Sequence, residues 1–159
     1  MTPAAFRDLV APVTRHIAGR PLDKALETEL GRAFPPESGT FRAIEGACHA
    51  AIAAGWMCTE GNSQRRFGRV FEPDTALAGF SVDVVDITDL VGNHHVHPTG
   101  EIDMIMPVTA GAKFDGHGRG WLVYEPASGH RPTVTEGRAL VLYLLPQGRI
   151  EWTPATTAK

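Results

Sequence analysis

A chain of 159 residues has room for one main core and none for two full domains. Hydrophobic residues at 43% and charged residues at 21% exclude a disordered, collagen-like or coiled-coil chain. The 15 Lys+Arg against 18 Asp+Glu, a net charge of −3, supply no field to attract nucleic acid or an anionic membrane, so neither is expected as a partner.

Residues 1–60 read as an N-terminal helical segment and residues 61–159 as a β-rich unit, the two forming a single structural unit. Met1 to Asp8 lack the basic-then-apolar order of a signal peptide. No apolar run approaches the roughly 20 residues of a membrane span, and a cytoplasmic location is expected. Apolar residues recur at helical spacing in three groups: Phe6, Leu9, Val10, Val13 and Ile17; Leu22, Leu26, Leu30 and Phe34; Phe41, Ile44, Ala47, Cys48, Ala51 and Ile52. Breaks fall at Gly19-Arg20-Pro21, at Pro35-Pro36 and at Gly55, with Ser38 or Thr40 available to cap the third helix. Small side chains from Ala47 to Ala54 predict close packing of that helix against a barrel or a second subunit. Cys48 and Cys58 are too few and too far apart for a disulfide scaffold or a CxxC pair and read as ordinary thiols.

Beyond Gly61 the period shortens to that of strands: Arg66 to Phe71, Phe80 to Ile87, Gly92 to His97, Glu101 to Val108, Gly120 to Tyr124, Thr133 to Val134, Leu140 to Leu145 and Arg149 to Trp152. Many short strands without interleaved helices predict an all-β sandwich or small barrel. Residues 153–159 read as a frayed tail. Exposed edge strands and the Ala-rich helix lead to the expectation of a homodimer.

Of seven histidines, His94, His95, His97, His117 and His130 crowd into positions 94 to 130. On a strand, His95 and His97 share one face while His94 points away. Pro98-Thr99-Gly100 is a turn signal, and the next strand carries Glu101 and Asp103 on one face, alternating with Ile102, Met104 and Met106. Two imidazoles and a carboxylate converging across this hairpin suit a divalent transition metal with open positions for water or substrate. His117 belongs to a Gly-rich surface loop, and His16 and His49 to helix surfaces.

The spacing of His95, His97 and Glu101 resembles the first motif of the cupin superfamily. Gly120 and Pro126 match the start of the second motif. His130 follows Gly129 directly, two positions earlier than that pattern, and Val108 stands where the first motif ends in Gly. A broader resemblance spans roughly residues 5 to 152. Phe80 to Val85, His97 to Asp103, Gly120 to Tyr124, Gly129 to Thr135 and Ala139 to Pro146 look like the small bacterial 4-hydroxylaminobenzoate lyase family.

These resemblances imply a mainly β fold, a cupin-like antiparallel β-barrel of jelly-roll type preceded by the helical segment. They imply conversion of 4-hydroxylaminobenzoate to protocatechuate with release of ammonia, in nitroaromatic degradation. They also imply His130 as a fourth ligand beside His95, His97 and Glu101 if a metal is bound, with iron, manganese, zinc or nickel open, or no cofactor at all.

Removing the N-linked hydroxyl needs an acid, and water must then reach the electron-poor ring. Without a metal Glu101 is the first choice of acid, with Asp103 or His130 steering water and moving protons; with one, Glu101 is a ligand, and the two roles exclude each other. A small aromatic carboxylate needs a cation, for which Arg65 and Arg69 are candidates. On a strand Arg69 shares a face with Phe67 and Phe71, although a solvated basic edge accounts for the same residues. Tyr124 and Tyr143 are candidate ligand contacts from the barrel wall. The alternatives are a metal-dependent cupin dioxygenase or isomerase acting on a small aromatic acid, and a small-molecule-binding cupin without turnover.

Overall fold

The computed structural model describes residues 1–153; the rest of the expected frayed tail lies outside the described residues. Thr153 itself is tied down, its N–H donating to the His94 carbonyl at 3.1 Å.

Three helices lead, as the spacing predicts: α1 (Pro3–Ile17), α2 (Lys24–Ala33) and α3 (Gly39–Ala54). Thr2, Asp23 and Ser38 cap their N-termini by accepting the N–H of Ala5, Leu26 and Phe41. Gly55, at φ +86°, ends α3 in the left-handed conformation that glycine adopts without steric cost. Among the described residues no helix is long and apolar enough to cross a membrane.

The strands form two antiparallel sheets. The larger contains β1 (Glu60–Gly61), β2 (Arg65–Phe71), β3 (Phe80–Val91), β5 (Glu101–Pro107), β6 (Lys113–Phe114), β7 (Gly120–Tyr124) and β9 (Thr133–Pro146). Its order is β1-β2-β3-β9-β5-β7, with β6 paired to β9. The smaller has β4 (His95–His97) between β8 (Ser128–His130) and β10 (Glu151–Trp152). This is the mainly β, antiparallel architecture with a helical lead that the sequence predicts.

The large sheet is buried on both faces. Ile102, Met104 and Met106 of β5 and Leu140, Leu142 and Leu144 of β9 pack in one core with Phe6, Leu30, Phe41, Ile44 and Ala47 of the helices. Ala47 and Ala51 of α3 are buried in this core, and α3 packs beside α1. The alternate residues, Val85 and Ile87 of β3, Ile105 of β5, and Val141 and Tyr143 of β9, line the barrel interior. α2 covers the edge at β7, where Glu27 accepts the Val123 N–H at 3.0 Å.

Two expectations need correction. The runs at Thr133 and Leu140 are one strand of 14 residues, β9, and β3 continues past Ile87 to Val91. The turn-like residues between them mark a bulge: Asp89, Glu136 and Gly137 have positive φ, the register shifts between Thr88 and Leu90, and Asp89 accepts the Gly137 N–H at 3.0 Å. In addition β1, β6 and β8, of two or three residues each, are too short to show a period.

Candidate metal centre and adjoining cavity

β4 presents His95 and His97 on one face, both fully buried. β8 pairs beside it with His130 opposite His95, so a register contact delivers the histidine that spacing placed two positions early. Glu101 enters from the start of β5 after the Pro98–Gly100 turn. Gly100 has φ +89°, and a Cβ there would lie 2.7 Å from Leu22 Cδ2 and 2.8 Å from the Tyr124 carbonyl oxygen, so only glycine fits.

Glu101 Oε2 lies 3.1 Å from His97 Nε2 and 3.3 Å from His130 Nε2. Glu101 Oε1 is 3.6 Å from His95 Nε2, which is 3.1 Å from His130 Nε2. One ligand atom from each of the four residues falls within 4.8 Å of the others.

The surrounding partners orient the rings. Ser128 Oγ donates to the Glu125 carbonyl at 2.5 Å and accepts from His97 Nδ1 at 3.1 Å. His130 Nδ1 donates to Asp115, whose Oδ2 also accepts the Tyr124 hydroxyl at 2.5 Å while Oδ1 accepts the Thr133 N–H at 2.8 Å. With protons on these Nδ1 atoms, His97 and His130 turn Nε2 lone pairs toward a common centre. His97 Nε2 and both Glu101 oxygens are buried without a hydrogen bond. An ionised carboxylate buried this deeply is costly unless a cation lies against it, either a protonated His130 or a metal ion that takes the place of that ring's Nε2 proton. Three imidazoles and a carboxylate form a donor set that could hold a divalent transition metal.

Burial alone would raise the Glu101 carboxyl, but His130, His95 and His97 reverse this and hold it well below its ordinary value. Burial lowers His95. Burial also pushes His130 down, yet Asp115 and Glu101 outweigh it and raise this ring to about 9. Asp103, on the interior face of β5 beyond Glu101, is fully buried with both oxygens unpartnered. Burial and the nearby Glu101 charge raise it well above the carboxylate range.

A cavity of about 250 Å³ adjoins the cluster, walled by Phe67, Val85, Ile87, Pro132, Ile150 and Trp152, with Glu60, Arg65, Gly68, Arg69, Asp83 and Tyr143 completing its lining. Trp152 packs edge-on to His95 with centroids 4.7 Å apart. Tyr143 stands between Asp83 and Asp103 in register across β3, β9 and β5.

The structure gathers His95, His97, Glu101 and His130, places Asp103 beside them, and puts Arg65, Arg69 and Tyr143 on the cavity wall. Arg65 lies over the Phe67 ring at 4.6 Å and makes no ion pair among the described residues. Arg69 is engaged by Asp83 at 3.1 Å, Glu72 at 3.3 Å and the Gly148 carbonyl at 3.1 Å. Tyr124 stands behind His130, its ring centroid 4.4 Å away and its hydroxyl on Asp115. Burial, then Asp115, raises its phenol. His94 turns away to Thr153, and His117 and His49 are exposed. His16 contacts Glu29 at 3.0 Å. Sequence reading missed Asp115 and Ser128, whose roles depend on loop contacts without fixed spacing. It also missed Asp83, for which a signal existed: an acidic residue inside the apolar strand run Val82 to Val85.

The model of the 4-hydroxylaminobenzoate lyase family matches residues 8–152. A protein of Nocardioides sp. (strain LMS-CY) named 4-hydroxylaminobenzoate lyase is 32% identical over an alignment of 161 residues covering 95% of each chain. One of the same name from Pseudomonas putida is 30% identical over 145 residues, 80% of this chain and 82% of that one. Among solved structures, an RmlC-like cupin protein from Ralstonia eutropha JMP134 is similar with a TM-score of 0.41 and 12% identity over 57% of this chain and 60% of that one. An oxalate oxidase in complex with glycolate gives 0.41 and 20% over 60% of this chain and 58% of that one.

Proposed function

Because this chain belongs to the 4-hydroxylaminobenzoate lyase family, we propose that it converts 4-hydroxylaminobenzoate and one net water to protocatechuate and ammonia. The observation that carries the reading, beside family membership, is an apolar cavity that holds an arginine without an ion pair among the described residues and whose Trp152 wall packs on His95 of a buried cluster of three histidines and a glutamate. Phe67 and Trp152 provide aromatic walls for the ring, and Arg65 a planar donor fork for the carboxylate.

His95, His97, His130 and Glu101 would hold a divalent transition metal. Such an ion supplies a polarising charge and lowers the pKa of water. Glu101 is then a ligand, which leaves Asp103 as the carboxyl group for proton transfer. Its burial raises this carboxyl above the ordinary carboxylate range, which suits it to deliver a proton to the departing N-linked oxygen. Ser128 and Asp115 hold the imidazoles of His97 and His130 in the tautomer that faces the centre. The Tyr143 phenol, raised by burial and by the carboxylates near it, stays protonated.

The test is incubation of the purified protein with 4-hydroxylaminobenzoate without oxygen. Ammonia and protocatechuate in equal amounts are expected. Absence of both refutes the substrate, and a requirement for oxygen would point to the dioxygenase alternative.

A further inference from the structure

The cavity is polar at two ends and apolar between. Along the β2–β3 ladder Arg65 pairs with Ile87, Phe67 with Val85 and Arg69 with Asp83. Arg65 and Asp83 are therefore four residues apart in level, about 13 Å at strand rise, with Phe67 and Val85 between them.

The charges at the two ends differ. Arg65 meets no carboxylate among the described residues, whereas Arg69 is neutralised by Asp83 and Glu72. A ligand carboxylate placed at Arg69 would also face the Asp83 charge. Asp83 uses Oδ1 for Arg69, and its Oδ2 is buried without a hydrogen bond. Next in the row come Tyr143, on the cavity wall, and Asp103, fully buried with both oxygens unpartnered. An ionised Asp83 is an acceptor only, and its free Oδ2 has no donor among the described residues, while the far end lacks an anion for Arg65.

We infer that the cavity reads a 1,4-disubstituted ring end to end, Arg65 taking the carboxylate and Asp83, beside Tyr143, taking the N–H and O–H donors of the opposite substituent. Asp83 is then a specificity-determining residue that sets both the ring position and the hydrogen-bonding character of the group presented toward Asp103 and the histidines. The inference rests on the aromatic-carboxylate reading above.

Unreactive analogues test it by calorimetric titration of the full chain: benzoate, 4-aminobenzoate, 3-aminobenzoate and 4-nitrobenzoate. The native protein is expected to bind 4-aminobenzoate about tenfold tighter than the other three, the worth of one hydrogen bond to a charged acceptor. Asp83→Asn should bring 4-aminobenzoate and 4-nitrobenzoate to within about twofold of each other. Arg69→Gln breaks the same ion pair but leaves the acceptor, and should retain the preference. A native protein that binds all four equally, an unchanged ratio in Asp83→Asn, or equal loss in Arg69→Gln overturns the inference and leaves the aromatic-carboxylate reading standing. Failure of all four to bind overturns that reading as well.

Discussion

Replacing Asp115 by Asn keeps volume and shape but removes an acceptor that three donors share. The carboxylate takes the Thr133 N–H at 2.8 Å on Oδ1 and the Tyr124 hydroxyl at 2.5 Å, together with His130 Nδ1, on Oδ2. If the amide oxygen stays on Thr133, the new NH₂ group faces His130 Nδ1 and can only donate to it. The imidazole then loses the Nδ1 proton and keeps one on Nε2, which lies 3.3 Å from Glu101 Oε2 and can donate to it. In the metal-free protein the His130 and Tyr124 bonds to the carboxylate are both lost and the amide's donation to His130 replaces one of them, so unfolding should cost about 1–3 kcal/mol less. Metal affinity behaves differently, because the lone pair that faced the centre is gone. A loss of about 10- to 100-fold is expected, or about 1.4–2.7 kcal/mol. Competition against a chelator measures the affinity, and denaturant unfolding of metal-free protein measures the stability. Undiminished metal affinity in Asp115→Asn would refute the reasoning.

Gly100→Ala should destabilise by about 2 kcal/mol, since a Cβ meets Leu22 and the Tyr124 carbonyl at positive φ; because the turn aims Glu101, metal retention should fall in the same variant. Phe41, fully buried and edge-on to Trp121 at 6.0 Å, should cost about 3–5 kcal/mol on replacement by Ala in denaturant unfolding. Burial pushes the Asp86 carboxyl up, but Arg138 and Arg66 outweigh this and leave it lowered. A lowered folded-state pKa stabilises above the ordinary carboxylate range, and that stabilisation is lost as pH falls through the folded value. Asp86→Asn should therefore be less stable than the native chain at neutral pH, with the gap closing on acidification; a gap independent of pH between 7 and about 2 would contradict the assignment.

Much of this architecture is legible in one sequence because it follows local period. The helical spacing from Phe6 to Ile52 and the caps at Ser38 and Gly55 set the lead. The alternation after Glu101 assigns Ile102, Met104 and Met106 to the helices and Glu101, Asp103 and Ile105 to the interior. Period two likewise puts His95 and His97 together. Contacts that depend on register between distant strands carry no such mark. His130 reaches the cluster through the pairing of β8 with β4, and Asp115 reaches His130 from a loop. The same limit applies to the arginines. Alternation shows that Arg65 and Arg69 face one way, but only the paired strand reveals that Asp83 neutralises one and leaves the other open.

If the histidine–glutamate cluster is a metal centre for the chemistry in the adjoining cavity, turnover must follow metal content. The most direct test is turnover of 4-hydroxylaminobenzoate under anaerobic conditions before chelation, after it, and after a divalent metal is returned, with bound metal measured in each sample. Ammonia and protocatechuate should form, vanish with the metal and return with it. Full turnover in protein shown to be metal-free would refute the metal centre and leave proton transfer to Asp103, since the histidines hold Glu101 ionised.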